Sequence, residues 1–323
     1  MHRKALTLFT PQRSAARRGA GRALLLETNA SASSFPRRNV ERAMTIVDSV
    51  LLPCFDGFVR YGGPFFVLFG VTLVSAVAVF FFSTPFVPLA PTDPLRIGLS
   101  VFGVYLYANI VINWLLCVFT HPGRPPQINP PSPVDRACQR CGDVWKPPRA
   151  HHCHVCNSCV LAYDHHCPWM ATCIGHLNYR YFFLTLLHLA AGCAFIVALL
   201  WAYFDAPAHL MLGKYHKLPY PVTFTLMLVV AAGPPVTVLL VWHVFLIHTG
   251  QSTVEFYRRK VRLWEWHRGE RGALNPYDLG PQRNWVRVFG DSSFPLHWAR
   301  PSLRKPPGDG LQWATSKSLV GDV

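Results

Sequence analysis

Four stretches of this chain contain no Asp, Glu, Lys or Arg: residues 61–92, 97–123, 181–204 and 218–254. Each is longer than the ~20 apolar residues that carry a helix across ~30 Å of hydrocarbon. Inside a bilayer, helices and closed barrels are the structures that satisfy their own backbone polar groups. The stretches therefore predict four spanning helices, near 64–87, 97–119, 181–204 and 222–248. A core helix of a soluble domain would be shorter and would carry a polar face. Composition agrees, with 51% of the 323 residues hydrophobic and 15% charged, against roughly 25% charged in soluble domains. That excludes a soluble enzyme and a disordered chain. Gly233-Pro234-Pro235 should bend the fourth helix.

The basic residues set the orientation. Ten of the 31 Lys and Arg precede the first stretch, six lie in 120–180, and twelve follow the fourth. The two short connections hold Arg96, Lys214 and Lys217. By the positive-inside rule, both termini and the 120–180 loop face the cytosol. The net charge of +15 is then a membrane-surface signature, and with no groove-reading motif it implies no nucleic-acid partner. The expected organisation is a basic segment 1–63, a helix pair 64–119, a loop 120–180, a second pair 181–248 and a tail 249–323. Residues 1–43 are rich in Arg, Ser and Ala. They read as a basic tail on anionic lipid, or alternatively as a transit sequence. The Asn29-Ala30-Ser31 sequon would go unused on that side.

The loop concentrates the chemistry. It holds seven of the ten cysteines (Cys138, Cys141, Cys153, Cys156, Cys159, Cys167 and Cys173) with five histidines among them. Cys138-x2-Cys141 and Cys153-x2-Cys156-x2-Cys159 have the step that brings two thiolates to one tetrahedral Zn²⁺. Disulfides are the rival reading and a reducing cytosol opposes them. An iron–sulfur cluster leaves the histidines without a role. Two closed zinc sites need eight ligands, which six cysteines and two histidines supply. One of the seven cysteines is then spare, a candidate nucleophile. Cys54, Cys117 and Cys193 lie in or near the spans and read as apolar packing residues, with Cys54 also open to acylation.

Asp164-His165-His166-Cys167-Pro168-Trp169 continues into Cys173-Ile174-Gly175-x2-Asn178-x3-Phe182, and Lys146-Pro147 and Arg149-x-His151-His152-Cys153 precede it. This pattern resembles the DHHC family of protein S-acyltransferases, or palmitoyltransferases, over about 45 residues without a gap. His121-Pro122-Gly123, Ser252-Thr253-x-Glu255 and Asn284-Trp285 resemble further family motifs. The resemblance implies an integral membrane, all-α fold of four helices, with a two-zinc cysteine-rich domain between the second and third.

By the same resemblance, one structural zinc takes Cys138, Cys141, His152 and Cys159. The other takes Cys153, Cys156, His166 and Cys173. Cys167 is then the nucleophile, with His165 as its base and Asp164 orienting His165, the logic of a triad. Long-chain acyl-CoA, mainly palmitoyl, is the implied co-substrate, and cysteines of membrane-proximal cytosolic or membrane proteins are the acceptors. Thr253 is expected beside Asp164, and Asn284 as a buried structural contact. Lys146, Arg149 and His151 are candidates for the CoA phosphates. Gly192, about three turns into the third span, is a candidate lining residue of the acyl cavity. The resemblance implies the endomembrane system, ER or Golgi foremost, with the plasma membrane as the alternative.

One departure bears on activity. The family usually carries two asparagines before the last zinc cysteine, where this chain has Ala171-Thr172. The alternative reading is therefore a catalytically impaired, zinc-stapled membrane adaptor. A membrane ubiquitin ligase with a RING-like loop would use every cysteine as a ligand and has no use for His-His-Cys-Pro-Trp.

Overall fold

The computed structural model describes residues 51–83, 93–205, 220–266, 275–290 and 301–316. The basic 1–50 segment and its sequon lie outside the described residues. The chain divides at Cys54 and Phe55 into two units. The described part of the first is the opening turn of α1, and all that follows concerns Phe55–Val323.

Four long helices form the membrane body: α1 (Leu52–Ser83), α2 (Asp93–Phe119), α3 (Tyr179–Asp205) and α4 (Tyr220–His248). All four are long and apolar enough to cross a bilayer, which bears out the four-helix expectation. Their outer faces display bare hydrocarbon: Phe65, Val101, Met227 and Val238 are all well exposed. In water such a surface would aggregate, whereas lipid covers it. α3 packs between α2 and α4. α4 runs unbroken through Pro234 and Pro235.

The first helix differs from the expectation. It begins at Leu52, not near residue 64, and so takes in Asp56 and Arg60. A charge ends an apolar run but does not end a helix, whose backbone bonds continue wherever the side chains find partners. Asp56 finds one in the loop, where its carboxylate pairs with His154 Nδ1 at 2.7 Å. The basic N-terminal segment thus gives way to helix before residue 63.

The loop between α2 and α3 is built of three two-stranded antiparallel hairpins. These are β1 (Ala137–Cys138) with β2 (Val144–Trp145), β3 (His151–Cys153) with β4 (Ser158–Val160), and β5 (His165–Cys167) with β6 (Thr172–Ile174). Beyond α4, helix α5 (Thr253–Trp266) and the short α6 (Pro281–Phe289) complete the described elements. Trp264 and Trp266 lie in α5, their side chains outside the described set.

Asn178 seals the loop to the membrane body. Fully buried, it donates to the carbonyls of Cys173 at 2.9 Å and Thr120 at 3.3 Å, and accepts from Gly175 N at 2.9 Å. It thereby serves a carbonyl just beyond α2, which an ending helix leaves without a backbone partner. An apolar cluster of Ile110, Trp114, Cys167, Met170, Ile174 and Phe182 sets the third hairpin on the ends of α2 and α3.

Candidate functional site

Strand geometry sorts the loop's side chains. Directly opposed residues in the second hairpin are His152 and Cys159, and in the third His166 and Cys173. Each cross-strand pair brings one imidazole and one thiol together. A Cys-x2-Cys turn supplies the other two donors: Cys138 and Cys141 for the first set, Cys153 and Cys156 for the second. Because Cys153 follows His152 on β3, the two sets interleave.

Both quartets have ligand atoms within 4.8 Å of one another. In the first, His152 Nδ1 lies 3.2 Å from Cys141 Sγ and 3.6 Å from Cys138 Sγ, with Cys141 and Cys159 sulfurs 3.9 Å apart. In the second, His166 Nδ1 lies 3.3, 3.6 and 3.9 Å from the sulfurs of Cys156, Cys173 and Cys153. A tetrahedron with Zn–N ≈ 2.0–2.1 and Zn–S ≈ 2.3 Å has edges of about 3.6 Å for S···N and about 3.8 Å for S···S. The quartets therefore fit Zn²⁺ in size and in donor set. Hydrogen bonds from Cys156 and Cys173 hold the Cys153 thiol far below its ordinary range, while contact with Cys153 and Cys156 pushes Cys173 up. Zinc binds such thiols as thiolates, so the metal takes the place of their protons. Each set is filled by four protein donors, the mark of a structural site.

Cys167 belongs to neither quartet. Successive residues of a strand face opposite ways. His166 turns to its metal set, so His165 and Cys167 share the other face. There Cys167 is buried in the apolar cluster, on the same strand face as His165. His165 Nδ1 lies 2.7 Å from Asp164 Oδ2, and its ring packs edge-on against Phe182 at 5.1 Å. Burial opposes a charge on His165. The hydrogen bond to Asp164, the neighbouring Cys167 sulfur and the Asp164 charge more than offset it, and lift the ring to about 10. Burial likewise opposes the Asp164 charge, but the His165 bond and charge hold that carboxyl below the usual carboxylate range. The pairing favours imidazolium beside carboxylate, so a proton given up by the thiol is held on His165.

Asp164 is almost fully buried, and a buried carboxylate requires donors. Thr253 supplies two, its backbone N to Oδ1 at 2.8 Å and its Oγ1 to Oδ2 at 2.9 Å. Asn284 is also buried. Its Nδ2 donates to His248 O at 3.0 Å and to Asp278 Oδ1 at 2.7 Å, tying the end of α4 to the segment before α6. Gly250, at φ 64°, makes the turn between them, where a Cβ would sit 2.8 Å from Asn284 Oδ1.

The three residues considered for CoA phosphates separate. Arg149 points inward, with Nε and Nη2 each 2.8 Å from a carboxylate oxygen of Glu255. His151 is buried, and desolvation with the charges of Arg258 and Lys146 lowers it to about 4, so it is neutral at pH 7. Neither presents a free cation. Lys146 is half-buried. Gly192 lines a cavity between α1, α2 and α3, together with Val74, Phe81, Leu106, Tyr107 and Ile110.

Several site residues carry no usable signal in the sequence. His243 of α4, fully buried, lies 6.0 Å ring to ring from His165 and meets the Tyr179 hydroxyl at 2.8 Å. A histidine in an apolar run reads as packing. Arg180 and His176 bind a C-terminal segment that carries Trp313 and whose return to the loop no local pattern announces.

Four membrane-length helices carrying two Cys3His sites, with a further cysteine on the strand that bears an Asp-His pair, define a zinc-stapled membrane protein. The family profile described as DHHC palmitoyltransferase matches residues 133–260. Palmitoyltransferase ZDHHC16A of Danio rerio is 28% identical over 330 residues, covering 83% of each chain. Probable protein S-acyltransferase 16 of Arabidopsis thaliana is 31% identical over 232 residues, covering 66% of this chain and 78% of its own. Palmitoyltransferase ZDHHC2 of Mus musculus is 32% identical over 189 residues, 56% of this chain and 46% of its own. The chain belongs to the DHHC palmitoyltransferase family and is a protein S-acyltransferase.

Proposed function

We propose that the acyl group passes through Cys167. In the first half-reaction His165 holds the thiol proton, and the Cys167 thiolate attacks the carbonyl of a fatty acyl-CoA thioester. The CoA sulfur leaves and takes the proton from His165, giving acyl-Cys167. In the second, a substrate cysteine gives its proton to His165 and attacks acyl-Cys167. That releases the acylated protein, and the proton returns to Cys167. One thioester is exchanged for another, so no ATP is consumed. The observation that carries this reading is the 2.7 Å Asp164–His165 bond beside the one loop cysteine outside both metal sets.

The fatty chain occupies the cavity at Gly192, with its thioester at the bilayer edge. Lys146 remains as the phosphate contact for CoA. The charge asymmetry of the chain supports a cytosolic loop and termini; the family supports acceptor cysteines on membrane-proximal cytosolic segments and residence in an endomembrane compartment, ER or Golgi.

The test is incubation of the purified protein with a labelled fatty acyl-CoA. Hydroxylamine-sensitive label should appear on wild type and be absent from Cys167→Ser, with two zinc ions per chain in both. Loss of a zinc from Cys167→Ser would make Cys167 a ligand. Label that persists on another residue of that variant would move the nucleophile. An unlabelled wild type would favour the adaptor reading.

A further inference from the structure

The described segment 301–316 returns to the loop as a strap. Arg180, buried at the start of α3, donates from its two terminal nitrogens to the carbonyls of Ser302 and Arg304, each at 2.6 Å. His176 Nε2 donates to Gly308 O at 3.2 Å, and Ser316 N donates to Pro276 O at 2.8 Å. At the far end Trp313 packs edge-on against His176, with ring centroids 5.5 Å apart. Five contacts thus hold a stretch without helix or strand of its own.

Arg149 is what this arrangement grips. Its guanidinium carbon lies 4.5 Å from the centre of the Trp313 ring and 4.8 Å from that of Tyr277. Its backbone sits at φ 63°, a left-handed position that a non-glycine residue holds only where its surroundings impose it. The side chain then locks on Glu255 through two 2.8 Å bonds and reaches Gly250 O at 3.2 Å. Glu255 closes a capping box at the start of α5. Its Oε2 accepts from Ser252 N at 2.8 Å, and Ser252 Oγ accepts from Glu255 N at 3.3 Å. Inside that box sits Thr253, the residue that holds Asp164 with two hydrogen bonds.

We infer that Trp313 is a positioning residue for acyl transfer, seating Arg149 on Glu255 so that the Ser252–Glu255 turn keeps Asp164 and His165 aligned on Cys167. It touches neither acyl-CoA nor the reacting sulfur. The inference rests on the catalytic reading given above. A ring stacked on a desolvated guanidinium holds it in place through the ring's quadrupole. Without it, Arg149 must keep both a buried ion pair and a left-handed backbone unaided. A shift of the turn by a fraction of an ångström passes directly to Asp164, and misplacement of about 1 Å at a catalytic group costs on the order of a hundredfold in rate.

The experiment uses the full chain in detergent. It compares wild type, Trp313→Leu and Trp313→Phe by the initial rate of label arriving on Cys167 across a range of palmitoyl-CoA concentrations. Trp313→Leu should lower kcat roughly three- to thirtyfold, with KM for palmitoyl-CoA within about twofold of wild type and both zinc ions retained. Trp313→Phe, which keeps an aromatic face, should recover most of the loss. A folded, zinc-replete leucine variant with wild-type kcat overturns the inference. So does a raised KM at unchanged kcat, which would make Trp313 a ligand contact. Should the leucine variant lose its zinc, Trp313→Met takes its place under the same criteria. If wild type carries no label on Cys167, the catalytic reading itself has failed and this inference falls with it.

Discussion

Ala171 occupies a backbone position that suits another residue. It caps the short 3-10 turn Pro168–Met170 at φ 51° and ψ 23°, where a Cβ costs roughly 1–2 kcal/mol and asparagine is better tolerated. Asparagine is what the family usually places there. This chain has instead fitted the alanine to its surroundings: a Cβ built on Gly63 of α1 would lie 2.8 Å from Ala171 Cβ. Glycine at 63 therefore lets α1 approach the turn that follows Cys167. Replacing both departures, Ala171→Asn with Thr172→Asn, should raise turnover without changing which proteins are acylated. The initial rate of palmitoyl transfer to a fixed acceptor, wild type against the double variant, is the measurement. An equal or lower rate would show that the Gly63–Ala171 approach has already compensated.

At the scale of elements, α3 joins the reacting end of the molecule to the depth of the membrane. Tyr181 and Phe182 lie buried in the cluster around Cys167, and Gly192 lines the cavity lower down. The rise from residue 181 to 192 is roughly 16 Å at 1.5 Å per residue, comparable to the reach of a sixteen-carbon chain. A Cβ at Gly192 would stand 3.5 Å from Ile110 Cδ1, an ordinary contact, so the position accepts a side chain at the cost of cavity volume. Gly192→Phe should therefore shift preference toward acyl chains of fourteen carbons or fewer in a folded protein. Competition among fourteen-, sixteen- and eighteen-carbon acyl-CoAs, read as label on Cys167, measures it. An unaltered profile rules out the cavity role, and a uniform loss of yield would make Gly192 a helix-packing residue.

For the molecule as a whole, the interleaved zinc sites act as one fastening. Cys153 of the second site is the chain neighbour of His152 of the first, so neither hairpin holds its register alone. Zinc bound to such a site contributes roughly 10 kcal/mol or more of folding free energy. Cys141→Ala should accordingly release zinc and abolish acylation, although Cys141 is remote in sequence from Cys167. Metal analysis together with thiol counting of the folded variant checks this. A stable, fully active Cys141→Ala protein would overturn the zinc assignment.

Much of this was legible in the sequence, for identifiable reasons. Four charge-free runs specify four helices because a bilayer offers the backbone no other partner. Cysteine and histidine spacing specifies two metal sets because thiolate and imidazole at those steps have few other uses. The spare cysteine follows from the count. What the tertiary structure decided is where long-range partners meet. Nothing within reach of Asp56 in the chain announces that it will meet His154. Arg149 reads as a phosphate ligand until Glu255, 106 residues away, claims its guanidinium. Trp313 reads as a tail residue until it stacks on that same arginine. Local pattern reports the solvent a segment prefers and the ligands it carries. A charge or ring in an irregular segment takes its meaning from the partner that folding brings to it, and that partner lies outside any window of sequence.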